Sequence, residues 1–159
     1  MALAWIGWGL SLKEKVFGML DIVHITNKQM VFTLWGLFKE YTRSLGKEDE
    51  NDDLPVSIFT RMGNPGTLLL VAVKDNEFVG FLWAQPVSEF GLNYLRVSEI
   101  YARQGMMGIK LFERAIEHAR KDGFDYVKGL VRAEKAEAMK RLFKAKEEAV
   151  LISVEVGYG

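Results

Sequence analysis

Three strand-like apolar runs follow one another closely in the middle of the chain, and they limit the folds that this sequence can adopt. Residues 67–73 are apolar on both faces, as in a central strand, and residues 78–86 and 93–102 follow after short intervals. Neighbouring strands joined by short turns pair in an antiparallel sheet. From residue 105 onward, the apolar spacing alternates between that of helices and that of strands. We therefore expect an α/β protein with a mixed, largely antiparallel central sheet flanked by helices.

Weaker patterns supply the rest of the predicted fold. The elements expected outside the three central strands are a strand over 20–26, helices over 30–45, 56–62, 105–123 and 134–146, and strands over 124–131 and 149–156. The sequence contains no repeat and no low-complexity linker, so residues 20–159 are expected to form a single domain. Residues 1–19 precede this domain as an apolar extension.

Composition excludes several kinds of site. The 159 residues include no cysteine, which rules out disulfides, thiol nucleophiles and zinc sites with Cys ligands. The two histidines, His24 and His118, lie far apart in sequence, which argues against a metal site. Lys plus Arg and Asp plus Glu number 21 each, and this zero net charge argues against a nucleic-acid-binding protein. Residues 103–146, however, hold 12 basic and 6 acidic side chains, which favours a local site for an anion.

The first 12 residues, MALAWIGWGLSL, form an apolar segment with two tryptophans. A membrane-spanning helix takes about 20 residues, so this segment predicts no membrane attachment. It also lacks the basic start and the cleavage site of a secretion signal, which favours a cytoplasmic protein. The segment is interpreted either as an element docked on its own core or as a surface for oligomerisation or a protein partner.

A strand that runs into the glycine-containing turn RQGMMG, residues 103–108, carries the clearest chemical pattern. Glycine lets a backbone approach a ligand closely, and the first N–H groups of a helix have no partner within that helix. Together with the positive end of the helix dipole, these groups favour an anion or a pyrophosphate. The turn lacks the Gly-Lys-Ser/Thr of a P-loop. Taken alone, it indicates either an anion site or a helix that starts with glycines for packing.

The order of elements from residue 20 to 156, together with this turn, resembles the GNAT superfamily of N-acetyltransferases. Arg103 and Gly108 match the family's Arg/Gln-x-x-Gly-x-Gly/Ala turn, whereas Met106 stands where the family usually has glycine. The resemblance implies that acetyl-CoA is the co-substrate and that no metal takes part. The residues that it assigns to acetyl-CoA are Ile100, Tyr101 and Ala102 beside the pantetheine, and Arg103, Gln104, Gly105, Met106, Met107 and Gly108 around the pyrophosphate.

Glu99 is the candidate general base. Strict alternation along the strand places it on the face of Val97 and Tyr101, where lost hydration raises the pKa of a carboxylate. A raised pKa suits a base that takes a proton from a substrate ammonium, a role that the family often gives to an acid here. The alternative is a structural carboxylate that a neighbouring Arg or backbone N–H satisfies.

Two functions remain open at this point. The first is an N-acetyltransferase in which a substrate amine attacks the thioester directly, because no cysteine can carry the acetyl group. The family's late helix usually supplies a tyrosine as general acid, but Phe143 stands there, so Tyr101, Tyr126 or water would have to substitute. The second function is therefore a catalytically impaired GNAT-like binding or structural protein, which acts through a partner or an oligomer interface.

The acidic stretch over residues 48–53 indicates the charge of the acceptor substrate. The resemblance places this region at the border of the acceptor site, where clustered carboxylates would attract a cationic amine. The alternative is an ordinary solvated loop, which is the usual state of a run of like charges. Basic residues along 134–146 lack the interleaved aromatic residues of single-stranded nucleic-acid sites, which again disfavours a nucleic-acid partner.

Overall fold

The computed structural model of the protein describes residues 20–46, 53–131, 133–148 and 153–157. These residues divide into two compact units between residues 129 and 130. The first unit contains β1 (Asp21–His24), a 3₁₀ helix (Lys28–Leu34), α1 (Trp35–Ser44), α2 (Asp53–Arg61), β2 (Leu68–Lys74), β3 (Glu77–Glu89), β4 (Leu92–Ala102), α3 (Gly105–Lys121) and β5 (Tyr126–Gly129). The second unit contains α4 (Ala133–Phe143). Among the described residues, no helix is long and apolar enough to cross a membrane.

Five strands form one sheet in the order β1-β2-β3-β4-β5. The pairs from β1 to β4 are antiparallel, and β5 joins β4 in parallel. Two-residue turns link β2 to β3 and β3 to β4. Asp75 and Asn76 in the first turn and Phe90 and Gly91 in the second all have positive φ, as type I′ turns require. The mixed, largely antiparallel sheet expected from the sequence is confirmed.

Apolar side chains cover both faces of the sheet. On one face, α3 packs through Leu111 and Ala115, which are completely buried. On the other face, the 3₁₀ helix, α1 and α2 pack through Leu34, Phe38 and Ile58, which are also completely buried. β2 lies between these two layers, which explains why its sequence is apolar at every position from Leu68 to Val73.

A β-bulge in β4 decides which of its side chains share a face. Trp83 of β3 pairs with Glu99, but the next residue, Ala84, pairs with Val97, so Ser98 is the extra residue. Tyr101 consequently belongs to the layer of α1, whereas Val97 belongs to the layer of α3. Strict alternation predicted Glu99, Val97 and Tyr101 on one face. The bulge keeps Glu99 with Tyr101 and separates it from Val97.

The end of the chain departs most from the predicted elements. α4 stops at Phe143, earlier than the predicted residue 146, because Lys144 adopts a left-handed φ of 54°. The predicted strand over 149–156 does not form in its described part, since residues 153–157 have no strand pairing. Residues 149–152 lie outside the described residues, as do 1–19 with the predicted apolar extension and its segment 1–12.

Candidate active site

β4 and β5 separate close to the bulge and leave one strand edge open. Their pairing runs from Tyr94 opposite Tyr126 to Val97 opposite Gly129. β4 continues beyond this point along β3 as far as Ala102. On the β5 side, residues 99–102 therefore have no strand partner within the described part of the chain. Such an edge can bind an extended ligand through backbone hydrogen bonds.

The first backbone amides of α3 lie directly after this open edge. Gln104, the N-cap residue, is extended at φ −131° and ψ 142° and makes no side-chain cap. The N–H groups of Met107 and Gly108 point back to the Gln104 carbonyl oxygen, at 3.1 and 3.4 Å. Those of Gly105 and Met106 have no acceptor among the described residues. At the positive end of the helix dipole, these two groups are suited to hold an anion.

Arg103 is tied to the protein by both its backbone and its side chain. Its N–H donates to the Val79 carbonyl oxygen at 3.0 Å. Its guanidinium donates to both carboxylate oxygens of Glu40, at 3.0 and 3.1 Å, and to Glu77 at 3.3 Å. The hydrogen bond from Arg103 holds the pKa of Glu40 below its usual value. Arg103 thus fixes the start of the turn, and its contact with the cofactor stays a prediction.

The other residues predicted to bind the cofactor lie around the same edge, and their side chains differ in how far they are buried. Ile100 and Ala102 are partly buried and face α3, and Met107 is buried in the same core layer. The side chain of Met106 is 64% exposed. A Cβ added at Gly105 would meet no atom of the described residues within 4 Å, so these residues leave space beside the turn. The structure therefore brings the predicted residues together but uses Met107 for packing.

Glu99 is partly buried on the sheet face that α1 covers. Its carboxylate accepts a hydrogen bond from the hydroxyl of Tyr41, in α1. Burial, and then this hydrogen bond, raise the pKa of Tyr41, so its hydroxyl keeps its proton at neutral pH. Tyr41 is therefore suited to orient the Glu99 carboxylate and is a poor source of protons for a leaving group.

The residues that hold Glu99 and the turn were not found from the sequence. Tyr41 is 58 residues from Glu99, and Glu40 is 61 residues from Tyr101, whose hydroxyl donates to it at 2.8 Å. Glu40 and Tyr41 lie in α1, and Tyr41 continues the apolar spacing of this helix, as a core residue does. A carboxylate beside a tyrosine on the inner face of that helix was the available signal.

The fold also brings the two histidines together, although they are distant in sequence. The rings of His24 and His118 meet edge to face with their centroids 5.1 Å apart, and His118 Nε2 lies 3.0 Å from the Asp122 carboxylate. Burial, followed by the proximity of His118, lowers the pKa of His24. In the part of the chain that the structure describes, no group of three or more His, Asp or Glu residues could hold a metal ion.

Solved acetyltransferases share this fold at low sequence identity. An aminoglycoside acetyltransferase from an uncultured soil metagenomic sample, in complex with sisomicin, has a TM-score of 0.71 and 12% identity, over 89% of this chain and 99% of the other. The aminoglycoside N-acetyltransferase AAC(6')-Iy in complex with CoA has a TM-score of 0.66 and 16% identity, over 86% and 95%. A ribosomal-protein-alanine N-acetyltransferase from Brucella melitensis biovar Abortus 2308 has a TM-score of 0.61 and 17% identity, over 89% and 100%.

Sequence comparison gives the family directly. No curated protein sequence matches this chain. The family model for the acetyltransferase (GNAT) family, in contrast, matches residues 11–146. Because this match spans well over half of the sequence, the protein belongs to the GNAT family of acetyltransferases, as the order of its elements and its turn predicted.

Proposed function

We propose that this protein transfers an acetyl group from acetyl-CoA to a primary amine, with Glu99 as the general base. One observation carries the assignment of the site. The open edge of β4, the carboxylate of Glu99, and the amides of Gly105 and Met106, which have no acceptor in the described part of the chain, all lie at the same end of one strand. Adjacent residues would therefore bind an elongated, anionic co-substrate and supply the proton acceptor.

The chain's own groups fit acetyl-CoA at this place. The amides of Gly105 and Met106 would hold the pyrophosphate, because they combine free donors with the helix dipole. The open edge over residues 100–102 would bind the amide groups of the pantetheine as a neighbouring strand does. When bound, acetyl-CoA supplies an activated thioester carbonyl.

Glu99 would take the proton that the amine loses as its nitrogen bonds to the acetyl carbon and the carbon–sulfur bond breaks. Tyr41 donates to the Glu99 carboxylate and fixes its direction. The acetyl group passes directly to the amine, since the chain has no cysteine to carry it. A thiol has a pKa near 8.5, so the sulfur leaves as a thiolate without a strong general acid. This removes the need for a tyrosine where the sequence has Phe143.

The class of the acceptor is an amine, which the acetyltransferases of similar fold support. The prediction of a cationic amine depends on residues 48–53, of which the structure describes only Asp53. It stays a prediction, as do the cytoplasmic location and a partner or oligomer surface on residues 1–12. The alternative of a catalytically impaired binding protein is not favoured by any feature of the described site, which keeps both Glu99 and the free amides.

Thermal unfolding in the presence of ligands tests the proposal. Acetyl-CoA and CoA should raise the melting temperature in a saturable way, and acetate at the same concentration should not. A primary amine added with acetyl-CoA should release CoA thiol and gain the mass of an acetyl group. Glu99→Gln should keep the thermal response and lose most of the thiol release. No thermal response at millimolar acetyl-CoA would overturn the proposal.

A further inference from the structure

A row of cationic and polar side chains crosses the sheet beside Glu99. Gln85, Arg96 and Lys128 are direct neighbours on β3, β4 and β5, so their side chains point to the same face. Gln85 follows Trp83 by two residues along β3, and Trp83 pairs with Glu99. The row and the candidate base therefore share one face of the sheet.

Hydrogen bonds connect this row to α2 and to the bulge. Arg61, the last residue of α2, donates to the Gln85 amide oxygen at 3.3 Å. The Gln85 amide nitrogen donates in turn to the hydroxyl of Ser98, the bulged residue next to Glu99, at 3.0 Å. The side chains of Arg61, Gln85 and Ser98 thus form a chain of hydrogen bonds that ends at the residue before Glu99.

Arg96 of this row and Arg61 beside it have no acidic partner among the described residues. Arg96 is exposed and makes no ion pair there, and Arg61 is exposed with Gln85 as its hydrogen-bond partner. Lys128 places its ammonium 4.7 Å from the ring centre of Tyr94 and 5.5 Å from that of Tyr126. Because like charges held close together repel each other, the arrangement of Arg61 and Arg96 around Gln85 indicates a ligand that supplies the negative charge.

The spacing along β4 sets the length of such a ligand. Arg96 precedes Glu99 by three residues on the same strand, and the bulge between them shortens the path. At about 3.3 Å per residue, the Cα atoms of the two residues lie roughly 7–10 Å apart, and their side chains leave the same face of the sheet. A molecule with an amine at Glu99 would place a group at that distance against Arg96.

We infer that this row is the acceptor subsite, and that it selects an amine that carries a carboxylate or phosphate roughly 7–10 Å from its nitrogen. The inference rests on the proposed acetyl transfer and names the acceptor of that same site. Arg96 and Arg61 bind the anionic group, while the amine reaches Glu99 past Ser98. The charged group that this subsite would select is negative, whereas the sequence of residues 48–53 predicted a cationic acceptor.

Three linear amines of equal length test the charge preference: 6-aminohexanoate, 6-aminohexanamide and 1,6-diaminohexane. Thiol release from acetyl-CoA is measured for each, and kcat/KM for the carboxylate should exceed that for the neutral amide and the diamine by about tenfold, the effect of one charge-assisted hydrogen bond. Equal or faster reaction of the diamine would overturn this inference and leave acetyl transfer standing. No thiol release with any of the three would overturn both.

Variants of Arg96 locate the preference in the row. Arg96→Gln should abolish the advantage of 6-aminohexanoate by raising its KM, so that its kcat/KM falls to that of the neutral amide. Arg96→Glu should invert the preference toward 1,6-diaminohexane. Arg120→Gln, an exposed arginine on α3, is the matched control and should keep the parent preference. An advantage for the carboxylate that survives in both Arg96 variants would refute the assignment.

Discussion

Replacing Gly105 with proline removes one backbone N–H from the first turn of α3 and breaks no hydrogen bond among the described residues. Gly105 is the first helical residue, a position where proline is well accepted. The preceding Gln104, at φ −131° and ψ 142°, already has the extended conformation that a following proline requires. The added side chain also has room among the residues that the structure describes, because a Cβ at Gly105 meets none of their atoms within 4 Å.

The expected effects on stability and on binding have opposite signs. Proline restricts the unfolded chain, so Gly105→Pro should stabilise the fold by about 0.4–1 kcal/mol. In a chain of this size, such a change raises the melting temperature by about 1–4 °C. If the Gly105 amide holds the pyrophosphate, its loss removes one hydrogen bond to a charged group, about 1.5–3 kcal/mol. The Kd for acetyl-CoA should then rise by roughly 10- to 100-fold.

Gly105→Ala is the matched control, because alanine adds a side chain at the same place and keeps the N–H. Calorimetric titration with CoA gives the Kd of both variants, and thermal unfolding without ligand gives their stability. Proline should weaken binding far more than alanine does. Equal affinities in two folded variants would show that the Gly105 amide does not bind the cofactor, and the proposed position of the pyrophosphate would be wrong.

Three further predictions concern the base, the sheet and the histidine pair. Glu99→Gln should lower kcat by about 10²- to 10⁴-fold at unchanged acetyl-CoA affinity, in steady-state assays of thiol release; an unchanged kcat would remove Glu99 as the base. Gly80→Ala should lower the free energy of unfolding in urea by about 1–3 kcal/mol, because its Cβ would lie 2.8 Å from the backbone oxygen of Tyr101; unchanged stability would contradict that contact. His24 has a lowered pKa, so the folded state binds its proton less tightly than the unfolded state, and stability should fall as the pH drops below about 6.5. The midpoints of urea unfolding at pH 7.5 and pH 5.5 should differ less in His24→Asn than in the parent protein. An identical pH dependence in both proteins would show that His24 does not cause it.

The sequence predicted the elements whose signal is local. The strands of the meander and the turn into α3 were visible because apolar periodicity and glycine act within a few residues. The bulge was not visible, because Ser98 fits a strand as well as its neighbours do and only pairing with Trp83 and Ala84 shows that it is extra. The contacts of Tyr41 with Glu99 and of Arg61 with Gln85 join separate elements, and periodicity carries no information on them.

The bulge at Ser98 makes the catalytic assignment depend on how β4 pairs with β3 as well as on the identity of its residues. If Ser98 were instead paired as an ordinary strand residue, the end of the strand would turn over, so Glu99 would enter the apolar layer against α3 and Ile100 would face Tyr41. Every side chain would be retained, yet the base and its partner would lie on opposite sides of the sheet. A relative that lacks the bulged residue is expected to keep the same faces, because removing Ser98 leaves Glu99 opposite Trp83 and Val97 opposite Ala84. An alignment with such a relative that places no gap at this position would pair functional side chains with core ones.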